Sequence, residues 1–227
     1  MAMTGSNIAT DVRNLLFDVA GNRWIDDELI AWINAGQREA AVLKPECCAK
    51  TVSLTMLAGT RQLLPTDAIS MIDAPRNMGA DGLTAGRVIR TVARDILDST
   101  SPDWHTETPA AIVKNIIYDV RNPKVFYCYP PQVGGTSSIE LIYGANPVDL
   151  VLLADEISIS NEYANCLVDY VCYRALTKDF EDSNPQRAMN HYTQFANTLG
   201  VTLANSLSRS PNVMNLPFNP DVPAAAR

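Results

Sequence analysis

Two histidines, His105 and His191, are all the chain offers as imidazole bases, so a nucleophilic triad of the usual kind has to use one of them. His105 sits in the loop segment SPDWHTETP beside Asp103 and Trp104, and His191 falls on the polar side of a helical segment. A loop histidine beside a carboxylate could act as a general base. The preferred reading is an exposed residue next to a tryptophan that anchors the loop. Carboxylates are adjacent at Asp26 with Asp27 and at Asp155 with Glu156, and glycoside hydrolysis needs two acids flanking a sugar bond. Adjacent side chains point in different directions on a helix or a strand, and negative charge at a helix start is accounted for by the helix dipole. Neither pair is read as catalytic.

The other chemical candidates reduce to structure in the same way. Cys47, Cys48, Cys128, Cys166 and Cys172 contain no CxxC spacing, and the adjacent pair Cys47–Cys48 lies far in sequence from both histidines. The thiols are read as reduced, with Cys128, Cys166 and Cys172 packed in apolar surroundings. Gly79, Gly82 and Gly86 are the nearest approach to a phosphate loop, but no Gly-Lys-Thr follows them, so they read as a turn. Tyr118, Arg121, Lys124, Phe126 and Tyr127 could stack on nucleic acid bases, yet their alternation in a strand hairpin is met by cross-strand packing. No catalytic residue, metal ligand or cofactor site is assigned, and no cofactor is expected.

The elements behind these residues follow from hydrophobic period. Ile8, Val12, Leu15, Leu16 and Val19 predict a helix over 8–20 that stops at Gly21. Asp26, Asp27 and Glu28 open a second helix, carried by Leu29, Ile33, Gly36, Ala40 and Leu43 and closed by Pro45. From Thr51 the period changes to two. Val52, Leu54 and Met56 alternate with polar residues, and Ala58-Gly59-Thr60 predicts a hairpin to Arg61–Leu64. Further strands are predicted over 69–72, 88–92, 112–119, 124–129 and 138–143. Helical spacing returns with Ala164, Leu167, Val168, Val171, Ala175 and Leu176. Asn184-Pro185 then opens a last helix, with Ala188, Tyr192, Phe195 and Leu199 on one face and a stop at Gly200. The fold class is therefore α+β: helix pairs at the two ends of the chain (1–48 and 159–207) form one helical bundle, from which a strand-rich domain (49–158) projects. Residues 208–227 carry Pro211, Pro217, Pro220 and Pro223, which allow neither helix nor central strand, so an extended tail is expected. Its apolar residues Val213, Met214, Leu216, Phe218 and Val222 exceed what a linker needs and suit docking on a partner.

The 227 residues are 47% hydrophobic and 19% charged, which is ordinary for a globular fold. A formal charge of −7 gives no net attraction to phosphate backbones and argues against wrapping nucleic acid. The longest apolar run, Val148 to Ala154, is interrupted by Asp149 and is far short of a membrane span. No secretory signal is recognised at the N-terminus, so synthesis and retention in the cytosol are expected.

Several segments carry a likeness in order along the chain: WIDDELIAWINAGQRE from Trp24, Lys44-Pro45, GTRQLLP from Gly59, DAPRNMG from Asp73, Leu97-Asp98 with Pro102-Asp103-Trp104, Tyr118-Asp119 with Asn122-Pro123, Tyr129-Pro130-Pro131, ELIY from Glu140, LVDY from Leu167 and YRALTKD from Tyr173. Together they resemble the head-to-tail adaptor proteins of tailed bacteriophages. The resemblance implies a non-enzymatic virion protein of the neck, made in the host cytoplasm. It also implies a homo-oligomeric ring, a dodecamer, held between the portal protein and the tail nozzle or tail tube protein. The C-terminal segment of such adaptors climbs onto the portal, which would make Val213, Met214, Leu216, Phe218 and Val222 portal-binding residues. Genomic DNA would pass through the lumen without sequence-specific binding, and no membrane would be involved. Two other readings compete: a virion-associated cell-wall hydrolase and a transient cytosolic assembly factor.

Overall fold

The computed structural model describes residues 3–79, 81–178 and 185–209. Helix α1 spans Gly5–Leu15. At its start the Asn7 side-chain oxygen accepts from the Thr4 backbone N–H at 3.0 Å, holding the first turn. The helix ends five residues before the predicted Ala20. Phe17 takes a left-handed φ of 57°, and the Asp18 carboxylate collects the backbone N–H groups of Asn22, Arg23 and Trp24. Those donors are therefore served by a turn, and Val19, predicted on the helix face, is exposed. Helix α2, Asp26–Leu43, has the predicted acidic first turn and buries Leu29, Ile33, Gly36 and Ala40. Leu43 lies half in solvent where the helix ends.

A 3-10 turn, Pro45–Cys48, leads into nine strands. They are β1 Ala49–Thr55, β2 Gly59–Leu63, β3 Ala68–Asp73, β4 Arg76–Met78, β5 Ala85–Val88, β6 Arg90–Thr91, β7 Asn115–Tyr118, β8 Val125–Gln132 and β9 Ser138–Ala145. One sheet runs β1-β9-β4-β5, with β3 also bonded to β9, and the other runs β2-β8-β7-β6. The predicted β1–β2 hairpin does not form: both strands exist, but β1 pairs with β9 and β2 with β8. The reason lies in the connection. Met56 is buried, donates to the Ser137 carbonyl and accepts from the Gly135 N–H, so the chain crosses from one sheet to the other. The strand predicted over 88–92 is split for a similar reason. Ile89 turns into the core and donates to Pro75 O, after which Arg90 joins β7. Two short elements had no periodic signal: β4, and helix α3, Arg94–Thr100, which Trp104 fixes by donating from Nε1 to Asp98 at 2.9 Å.

The last helices are α4, Ala164–Lys178, and α5, Pro185–Arg209. α4 touches α1, α2 and α5, and it buries Cys166, Tyr170 and Cys172 as well as the predicted face. α5 passes through the predicted stop at Gly200. A helical glycine costs only about 1 kcal/mol relative to alanine, and the Val-Thr-Leu-Ala-Asn-Ser-Leu sequence that follows has no proline to enforce an end. Asn184, the predicted cap, lies outside the described residues. The architecture among the described residues is thus α+β, with five helices and two sheets. One apolar core joins Ile8, Leu29, Ile33, Leu167, Val171 and Phe195 from the two ends of the chain. A second lies between the sheets and includes Met56, Phe126, Ile139 and Leu141. Full burial of one such side chain stabilises by about 1.5–3 kcal/mol.

Candidate functional site

The residues singled out for chemistry are scattered. His105 is exposed, stacks on the buried Trp104 at 3.6 Å between ring centroids, and shares a 2.8 Å hydrogen bond with the Thr60 hydroxyl. His191 pairs with Asp169 at 2.9 Å and so links α5 to α4. The two histidines therefore serve different parts of the fold. Asp26 pairs with Arg13 at the head of α2, and Asp155 accepts the N–H groups of Val151 and Leu152. Gly79 and Gly82 lie in the β4–β5 turn, held by Asp81, whose carboxyl is lowered to about 2 by the Thr84 hydroxyl and the N–H groups of Thr84 and Leu83. Phe126 is core, and the Tyr118 hydroxyl ties Met71 N to Pro123 O, which agrees with the packing reading of that hairpin.

All five cysteines are buried and free. Burial pushes the thiols of Cys128, Cys166 and Cys172 up to about 12. Cys47 is raised further, first through its hydrogen bond with Cys48 and then by burial. A thiol needs to be a thiolate to act as a nucleophile or ligand, so these four act as packing, whereas the hydrogen bond with Cys47 lowers the buried Cys48 thiol. Among the described residues no group of three or more His, Cys, Asp or Glu could hold a metal ion, and no helix is long and apolar enough to cross a membrane.

What the fold does build is a set of braced surfaces. The loop between β9 and α4 is the clearest. Leu150 plugs the helical core while Asn34 accepts from its N–H at 2.8 Å and donates to its carbonyl at 3.0 Å. Gln37 accepts from Ser158 N, Ser6 N donates to Leu153 O, and Arg38 pairs with Asp149. This bracing holds Val148, Val151 and Leu152 in solvent, at 70%, 78% and 62% exposure. Aliphatic groups fixed in that way dock at a low ordering cost. The turn after α1 is a second such surface, with Phe17 91% exposed and Arg13 bonded across to Trp24 O and Asp26. None of these residues was assigned a role from the sequence. The signal that could have found the loop is an apolar run, Val148 to Leu153, too polar at Asp149 and too short for a helix core.

The five tail residues assigned to the portal, Val213, Met214, Leu216, Phe218 and Val222, lie outside the described residues. No curated protein matches this sequence. The family model described as SU10 adaptor protein matches residues 3–215, which takes in the helical core, the core between the sheets and, among the described residues, every strand and helix. That span covers nearly the whole chain. The chain belongs to the SU10 adaptor protein family, a family of phage head-to-tail adaptors.

Proposed function

We propose that this adaptor forms a ring, a dodecamer, that joins the portal protein to the tail nozzle or tail tube protein and lines the channel through which DNA leaves. The observation that carries the reading is the family match over residues 3–215. In this reading residues 1–48 and 159–207 form the bundle, 49–158 form the strand-rich domain, and the proline-spaced residues 208–227 reach the portal. The acidic balance of −7 supports a channel role, because carboxylates repel phosphate and leave DNA free to slide. Fixed aliphatic groups at Val148, Val151 and Leu152 support a protein that works by docking.

Light scattering of the protein alone and with portal tests the ring. We expect a monomer or weak oligomer alone and a closed ring on the portal, since a template fixes the rotation that weak lateral contacts leave open. The tail is tested separately. Deleting Pro211 to Arg227 should preserve the fold and weaken portal attachment, giving heads that leak DNA or lack tails. Phe218→Ala should weaken attachment less than the deletion, because one anchor of several is lost. Unchanged portal affinity and full infectivity of the truncated protein would show that the tail has no such task.

A further inference from the structure

A closed ring of identical subunits needs two different surfaces, each facing the other on the next copy, and a single copy must be unable to satisfy both. The first surface is the lateral edge of the strand unit. The chain passes from β5, at the end of one sheet, directly to β6, at the end of the other. Ile89 is the pin at that crossing, buried, with its N–H on Pro75 O at 3.0 Å. Around it Arg87, Val88 and Arg90 are exposed, and neither arginine makes an ion pair among the described residues. This edge is therefore fixed, cationic and apolar at one point.

The second surface is the braced loop after β9. Val151 and Leu152 project from it because Asp155 holds both of their N–H groups, at 2.9 and 2.8 Å. Glu156 is exposed beside them and makes no ion pair among the described residues. This surface is fixed, anionic and apolar. The two lie apart in one subunit. β5 joins β4, which meets β9 at Ser138 and Ile139, whereas the loop leaves β9 after Ala145, about 20 Å away at the rise of a strand. Each is repelled by its own kind, arginine by arginine and carboxylate by carboxylate, which favours a head-to-tail contact over a twofold one.

We propose, on the basis of the ring reading above, that neighbouring copies join by seating the Arg87–Val88–Arg90 edge of one on the Val151–Leu152–Glu156 loop of the next. Guanidinium groups meet the carboxylate at the rim, and Val88 meets the two aliphatic side chains. The occupant of the edge is thus a second copy of this chain, and duplex DNA is the rival.

A charge exchange tests this on the full-length protein assembled with portal. Arg87→Glu with Arg90→Glu should raise the concentration needed for ring formation by about tenfold or more, and Glu156→Arg alone should weaken the ring in the same direction. Combining the three substitutions should recover most of the loss. Val88→Cys with Leu152→Cys should also give an oxidative ladder of linked subunits that neither single variant gives beyond a dimer. Native rings from all the charge variants, or no recovery on combination, would overturn this contact while leaving the ring intact. Wild-type protein that forms no ring with portal would remove the ring reading and this contact together. Loss of DNA retention with unchanged rings would assign the arginines to phosphate and overturn the contact.

Discussion

The helical and strand regions each have an apolar core, and they differ in what their buried amides fasten. The helical core is filled by long aliphatic and aromatic side chains from distant parts of the sequence, among them Ile8, Leu29, Leu167, Tyr170 and Phe195. In the strand region three buried amides fasten irregular backbone. Asn77 bonds Arg87 O and both polar groups of Val113, Gln62 bonds Leu57 N and O, and Gln132 bonds Pro130 O and the Ser137 hydroxyl. Their charge also differs. Residues 1–48 carry four basic against seven acidic side chains, whereas residues 49–145 carry nine of each. In the helical region the buried amides Asn34 and Gln37 reach out to the loop after β9, whereas in the strand region the amides hold short strands and loops in place beside an apolar core between the sheets.

The largest loss is expected in the helical core. Leu167 is fully buried between α4 and its neighbours, so Leu167→Ala should leave a cavity and cost about 2 to 5 kcal/mol. Denaturant unfolding checks it, and a variant as stable as the parent would show that this core is not what holds the helices. In the strand region Asn77→Ala removes no large volume but strands one buried N–H and two carbonyls, for about 1 to 3 kcal/mol. Here the expected signature is local: amide exchange should quicken at Val113 and along β5 while α4 stays protected. Equal acceleration in both regions would erase the distinction drawn above.

The smallest effect lies at the surface. Lys50 and Asp67 form a half-exposed ion pair at 2.9 Å, and the Lys50 hydrogen bond holds the Asp67 carboxyl below its usual range. A lowered carboxyl contributes above its unfolded pKa, and the contribution disappears as pH falls through the folded value. Asp67→Asn should therefore cost under about 1 kcal/mol near neutral pH, discounted for solvent. The difference between parent and variant should vanish in acid, measured as the denaturant midpoint against pH.

Legibility followed the same divide. α2 was readable because Leu29, Ile33, Gly36 and Ala40 keep one helical stripe, and α4 because nearly every apolar position is used. Strand positions were also readable from alternation, but their partners were not. Nothing local to Met56 distinguishes a hairpin from a crossing between sheets; the Ser137 and Gly135 contacts that decide it lie some eighty residues away. α1 ends early because Phe17 takes the left-handed conformation and the Asp18 N–H turns back to Arg13 O, a C-terminal cap without glycine that periodicity ignores. The run from Val148 stands out in the sequence but its bracing does not: Leu150 looks like its exposed neighbours until Asn34 and Gln37 are placed beneath it. The family likeness, by contrast, was carried by ordered short segments and needed none of these contacts.

The chain passes between helices and strands twice, and the passages are tied to each other. Gly144 lies so close to Pro45 that a Cβ there would come within 2.5 Å of the proline Cβ. Ser160 N donates to Cys47 O at 3.0 Å, and Lys44 Nζ sits 5.0 Å from the centre of the Tyr163 ring. A pull on the helices would therefore reach the strands along two rails loaded side by side, and the links between them would have to give together instead of peeling one by one. Such a joint passes force from the helices to the strands without working as a hinge.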